Sequence, residues 1–357
     1  MNSAITAIHY CVPQQRLTND DLVPRFGAQH MESILKMSGI RERRVVAPGE
    51  TAADLAYWAA RRLLDDRQID PASIDLLIFA SQTGDYQVPA TACVLHERLG
   101  LAHHCAAFDL GMGCSSFPYS LSVAHSMLVA GVARKALVLV AEALTPVIHP
   151  QDRGLVPLFG DGAAATLLEP TAGEGGFRGF LLGTDGTGYR SIMMPASGAR
   201  MPRTAETRAE IVDETGIVRT QEHLHMDGPA VFFFSVQHIP RMIRQALERF
   251  QLTIDDLDLV LLHQANKTMV DQIYRVLKVP AEKRFYCLEE LGNTSGASTA
   301  ILLAEAGRQG VLRPGMRVLL AAFGNGLSWG VTVFEWDERA GVVVQGPVEP
   351  GTVDAES

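Results

Sequence analysis

Residues 74–81 read Ile74-Asp75-Leu76-Leu77-Ile78-Phe79-Ala80-Ser81, an almost unbroken apolar run. A run of that length without alternation predicts a strand buried on both faces, so its sheet must carry helices on either side. Working outward, Thr51–Asp66 has helical periodicity with Thr51 placed to cap it. Pro89–Leu99 reads as a second helix, with Pro89 in its first turn and Gly100 past its end. Ala136–Ala141 and Ala163–Leu168 are two further buried strands. Buried strands separated by helices predict an α/β fold.

The second half repeats the first. Asp75-Leu76-Leu77-Ile78 has a counterpart in Asp258-Leu259-Val260-Leu261, and Val138-Leu139-Val140 has one in Val318-Leu319-Leu320. Both offsets are about 180 residues, half of the 357-residue chain. The shared offset predicts an internal duplication of one α/β unit, with halves at 1–171 and 172–336. Residues 195–224 break the pattern, being polar and rich in Arg, Thr and Glu, and are expected to run over the surface. Residues 337–357 read as a trailing tail.

Composition excludes several classes. With 47% hydrophobic and 20% charged residues, the bulk of the chain can bury a core and is not disordered. The net charge of −9 leaves no basic surplus for wrapping nucleic acid. Arg41-Glu42-Arg43-Arg44 is too short to reverse that, though it could serve one anionic ligand. No stretch of about 20 apolar residues is present, so no membrane partner is expected. Met1–Val12 lacks the pattern of a secretory signal. The five cysteines, an odd number with no Cys-x-x-Cys, suit a reduced cytoplasmic setting.

Four segments carry chemistry. Cys114 follows Gly111-Met112-Gly113 and precedes a helical stretch, Pro118–Ala130. Glycines permit a tight turn there, and the helix N-terminus favours a thiolate. Cys11, Cys93, Cys105 and Cys287 lack that setting and read as small buried hydrophobes. His263, in Leu261-Leu262-His263-Gln264-Ala265-Asn266, ends a buried strand just before a helix, where α/β folds place ligands. Read alone, a structural histidine is the alternative. Asn293, in Gly292-Asn293-Thr294-Ser295-Gly296-Ala297-Ser298, stands between a short strand and a helix of small residues. It offers an amide donor or a helix cap. Phe323-Gly324-Asn325-Gly326-Leu327-Ser328-Trp329-Gly330 is a glycine-rich turn whose N–H groups can approach a ligand. His103-His104-Cys105 and His223-x-His225 have no matching second cluster, so no metal is expected. Gly160-Asp161-Gly162-Ala163 lacks the Lys of a phosphate loop, and no nucleotide cofactor is expected.

Together these segments resemble the ketoacyl-acyl-carrier-protein synthase III family of thiolase-fold condensing enzymes. The likeness extends to Phe159-Gly160-Asp161-Gly162-Ala163, Gly39-Ile40-Arg41-Glu42-Arg43 and Asp152-Arg153-Gly154, and spans about residues 5–336. The resemblance implies a thiolase-like fold of duplicated αβαβα halves in five layers, in a homodimer. It implies Cys114 as nucleophile, His263 and Asn293 as hydrogen-bond donors, and the N–H groups of Cys114 and Asn325 as an oxyanion hole. Substrates would be acyl-CoA or acyl carrier protein and a malonyl thioester, with no cofactor. Arg41, Arg153, Asn266, Phe232 and Val88 are the implied substrate or CoA contacts, and Lys267 and Arg275 the carrier-protein contacts. A second catalytic Cys, as in thiolases, and a catalytic Glu, as in hydroxymethylglutaryl-type synthases, have no matching motif.

The chain departs from the family pattern where the donor binds. Ser33 stands at the position of an adenine-clamping Trp, and Pro229 replaces an Asn. Phe233 and Thr268 occupy positions that are basic in the family. Val88 replaces a bulky aromatic that reaches the partner subunit's acyl pocket, which would admit a longer or branched chain. Two other readings fit the same scaffold. One is an acyltransferase passing the acyl group to an alcohol or amine, with His263 as base. The other is a non-catalytic subunit of a heteromeric synthase.

Overall fold

A computed structural model describes residues 2–171, 175–337 and 339. Of the expected tail, only Asp337 and Arg339 fall within these; the rest lies outside the described residues, as do residues 172–174 at the expected boundary.

Among the described residues the two main sheets share one topology over four strands. In the first, the strands run Asn2–Cys11, Gly162–Thr171, Ala136–Glu142, Leu76–Ala80 and Ala106–Leu110 in spatial order. In the second, the order is Gly176–Thr184, Ser328–Glu335, Arg317–Gly324 and Leu259–Leu262. In each sheet the first two junctions are antiparallel and the third is parallel. Leu76–Ala80 and Leu259–Leu262, the strands whose likeness suggested duplication, thus occupy equivalent places.

Alternation along each strand divides its side chains between two cores. Leu76, Ile78 and Ala80 face a central core shared with Leu261 and Leu320 of the other sheet, while Leu77 and Phe79 face an outer core. The central core is filled by helices Ser116–Val129 and Ser298–Arg308, through Leu121, Ala300 and Leu303. Helix Ala52–Asp66 covers the outer face of the first sheet, and helices Gly228–Arg249 and Lys267–Leu277 cover that of the second. The sequence of layers is helix, sheet, helix, sheet, helix: the five-layered thiolase fold.

Local signals act as expected at several ends. Thr51 caps Ala52–Asp66 in a reciprocal capping box with Asp54. Asn266 caps Lys267–Leu277 by accepting from the Met269 N–H at 2.8 Å. Three expectations need correction. The helix after Pro89 begins at Thr91, because the Asp109 carboxylate, from the neighbouring strand, receives the N–H groups of Thr91 and Ala92 at 2.7 Å each. No strand precedes Asn293; Leu288–Leu291 is a short helix ended by Gly292 at φ +71. Cys93 is exposed rather than buried, since it lies on the outer side of its helix.

Among the described residues no helix is long and apolar enough to cross a membrane. The Arg41–Arg44 cluster is tied into the protein. Arg43 is fully buried and donates to the carbonyls of Leu17 and Pro157 and to Asn19. Arg44 reaches the Pro13 and Gln14 carbonyls, and Arg41 pairs with Glu289 at 2.5 Å. The glycine of Phe159-Gly160-Asp161 has a packing reason: a Cβ on Gly160 would lie 2.2 Å from the Leu291 carbonyl oxygen.

Candidate active site

A cavity of about 810 Å³ opens where the two halves meet, and Cys114, His263 and Asn293 all line it. Each is delivered by the end of an element. Cys114 lies in the turn between strand Ala106–Leu110 and helix Ser116–Val129. His263 follows strand Leu259–Leu262, and its N–H donates to the Ala321 carbonyl at 2.9 Å. Asn293 is pinned by its own N–H to the Leu158 carbonyl at 2.8 Å and by its carbonyl to the Gly160 N–H at 3.1 Å.

The three side chains are each held in one orientation. Asn293 Oδ1 accepts from the Ser295 N–H at 2.9 Å, which leaves its NH2 group for a ligand. His263 Nδ1 meets Ser298 Oγ at 2.5 Å, which leaves Nε2. Cys114 Sγ lies 3.5 Å from Ser295 Oγ. Ser295 and Ser298 are functional neighbours that sequence reasoning did not single out. They sit in the quoted Gly292–Ser298 segment, yet nothing in sequence signals that Ser298 meets a histidine 35 positions away.

Cys114, His263 and Asn293 are all buried, and burial suppresses charge on the two that titrate. Burial alone pushes His263 down to about 3, so the ring is neutral at physiological pH. Burial also raises the Cys114 thiol, opposed by Ser295 and by the N–H groups of Asn325 and Cys114. Burial thus works against the lowering that a helix N-terminus gives a thiol. Glu142, fully buried at the end of its strand, is pushed up to about 8 although Ser81, Thr83 and the Gln82 N–H donate to it. Sequence reasoning missed Glu142 because it ends an otherwise apolar strand.

Asn266 and Phe232 line the cavity as well. Arg41, Arg153 and Val88 are not among its lining residues; Val88 is 86% exposed on the surface. Arg153 instead donates to the Thr215 carbonyl of the excursion. Lys267 and Arg275 line a separate surface depression on the same helix.

Residues 108–186 match the 3-oxoacyl-[acyl-carrier-protein (ACP)] synthase III family, and residues 247–336 match the C-terminal region of the same family. The beta-ketoacyl-[acyl-carrier-protein] synthase III of Caldanaerobacter subterraneus subsp. tengcongensis is 38% identical over 92% of this chain and 96% of its own. The chain belongs to this family.

Solved synthase III structures agree with that membership. A 3-oxoacyl-(acyl-carrier-protein) synthase III superposes with a TM-score of 0.92 at 38% identity, over 94% of this chain and all of that one. A priming beta-ketosynthase from a polyketide biosynthetic pathway superposes with a TM-score of 0.84 at 31% identity, over 94% of this chain and 96% of that one. The synthase III fold thus accounts for nearly the whole chain. The family's members are acyl-transferring condensing enzymes.

Proposed function

We propose that the protein forms a carbon–carbon bond by decarboxylative Claisen condensation of an acyl thioester with a malonyl thioester. The observation that carries this reading is one cavity that holds a buried cysteine and two oriented donors, a neutral histidine and an amide. Cys114 attacks the acyl thioester; its sulfur–carbon bond forms, the donor's carbon–sulfur bond breaks, and the thiol proton leaves with the departing thiol. The N–H groups of Cys114 and Asn325, both of which reach the sulfur, stabilise the oxyanion.

Malonyl thioester then binds with its thioester carbonyl at His263 Nε2–H and the Asn293 NH2. In that tautomer Nδ1 accepts from the Ser298 hydroxyl. Loss of CO2 leaves an enolate held by the two donors, and its carbon attacks the acyl-cysteine. Cys114 is released as the thiolate and takes up one proton. A neutral histidine suits this step: departing CO2 supplies the electron pair, so no base is needed. The same neutrality weighs against the reading with His263 as base for an alcohol or amine, because protonating it would place an uncompensated charge in the buried site.

The substrates are acyl-CoA or acyl carrier protein and malonyl carrier protein, with Lys267 and Arg275 as carrier contacts. The protein works without a cofactor, as a cytoplasmic homodimer whose exposed Val88 belongs to the subunit contact. The halves 1–171 and 172–336 act as one unit, since Cys114 comes from the first and His263 and Asn293 from the second. The test is intact-protein mass spectrometry with an acyl thioester series. Wild type gains an acyl mass that malonyl carrier protein clears with release of CO2, and Cys114→Ala gains none. An adduct on Cys114→Ala, or one cleared only by an alcohol or amine, would overturn the reading.

A further inference from the structure

The cavity has one wall that belongs to neither half's helices nor to its main sheet. Strands Ile192–Met193 and His225–Met226 pair antiparallel, and the excursion between them carries a small hairpin, Ile211–Val212 against Val218–Arg219. The hairpin turn is self-braced: the Asp213 carboxylate accepts from the N–H groups of Thr215 and Ile217 at 2.9 and 3.0 Å. Its residues Asp213, Thr215, Ile217 and Arg219 face the cavity.

The hairpin is latched to the body and the latch uses up cations. The Arg153 guanidinium donates to the Thr215 carbonyl. Arg219 sits between Asp152 and Asp213 at 3.6 Å from each, and it is itself largely buried. Two arginines, Arg190 and Arg219, therefore face the cavity against three aspartates, Asp152, Asp213 and Asp227. A coenzyme A donor brings a diphosphate and a further phosphate to such an entrance. The side chains that line the cavity hold no surplus positive charge to meet them, and the aspartates repel them. A phosphopantetheine arm on a protein brings a single phosphodiester and is anchored elsewhere.

That anchor is present beside the entrance. Asn266 lines the cavity, and the next residue, Lys267, begins a depression of about 670 Å³ that also presents Arg275, Lys278 and Arg284 against the single carboxylate of Asp271. We infer that the first-step acyl donor is an acyl carrier protein rather than an acyl-CoA, and that the hairpin at 211–219 enforces the choice. This rests on the condensing reading above and names the donor class for the same cysteine.

The experiment uses the full chain and an acyl series from C2 to C10, each acyl group presented on coenzyme A and on holo acyl carrier protein at equal concentration. The rate of acyl-mass gain on Cys114 is read before any malonyl donor is added. At the chain length that reacts best, the carrier-protein rate exceeds the CoA rate at least about 10-fold, the factor that 1.4 kcal/mol of repulsion gives. Replacing residues 211–219 by a short Gly-Ser turn brings the ratio of the two rates down toward one. Asp213→Asn, which keeps the hairpin, lowers it several-fold. Equal or faster acylation of wild type from CoA overturns the inference, as does a ratio unmoved by both variants. Failure of the condensing reading looks different: the adduct forms, yet malonyl carrier protein releases no CO2 from it.

Discussion

Gly324 lies against Cys114 so closely that a Cβ on it would stand 2.5 Å from the Cys114 Cβ and 2.6 Å from its Sγ. Only a residue without a side chain lets the glycine-rich turn bring the Asn325 N–H to the sulfur. Gly324→Ala must push one segment away from the other. A displacement near 1 Å costs on the order of 100-fold in rate. Acylation of Cys114, followed by mass spectrometry, should fall by about that factor while far-ultraviolet circular dichroism stays native. Acylation within 2-fold of wild type would mean that the turn takes no part in the first step.

Ser298 fixes the other side of the site. With Ser298→Ala the His263 ring loses its Nδ1 partner, and both tautomer and ring angle are freed. One hydrogen bond of about 1–1.5 kcal/mol corresponds to roughly 10-fold in rate. The loss should fall on decarboxylation of malonyl thioester, measured as CO2 release, and spare Cys114 acylation. Equal losses in both half-reactions would place Ser298 in general folding instead.

His263 sets a pH signature. Its pKa is pushed down to about 3 by burial, against 6.5 when unfolded. Between those values the unfolded chain binds a proton that the native chain refuses. Its contribution to stability is thus full above pH 6.5 and is lost as pH falls toward 3. The condensation rate should show no ionisation with a midpoint between pH 6 and 7 attributable to this ring. His263→Gln should unfold at a lower pH in acid titrations than wild type; an unchanged acid midpoint would show that the ring is not held neutral.

Glu142 gives the opposite slope. Its folded pKa is raised to about 8 from 4.5, so the native state keeps a proton that the unfolded state has lost. Stability attributable to this group falls as pH rises from 4.5 through 8. Glu142→Gln replaces the protonated acid by a neutral amide of the same shape. Its melting temperature should drop less than that of wild type between pH 6 and 8.5, by about 3 °C. Parallel melting curves across that range would contradict a buried neutral acid.

Much of the fold was legible in local chemistry. Leu76–Ala80, Ala136–Glu142 and Leu259–Leu262 are apolar on both faces, and only a covered sheet accommodates that. Thr51 and Asn266 announce helix starts through their own side chains. The capping of Thr91 was not legible, because its acceptor, Asp109, belongs to another strand. Cys93 misled for a similar reason: a cysteine's burial depends on which face of its helix meets the sheet.

By itself the sequence determined the duplicated α/β plan and the three segments that bring a nucleophile and two donors together. These follow from hydrophobic periodicity and turn residues, which act within a few positions along the chain. The tertiary structure alone decided the protonation of those groups. Desolvation depends on what surrounds a side chain in space, so burial raises the cysteine that a helix N-terminus would lower, and it keeps the histidine neutral. It also decided the use of Arg153, which sequence placed at the donor and the fold turns toward Thr215. That contact joins residues 62 positions apart, and only packing brings them within reach.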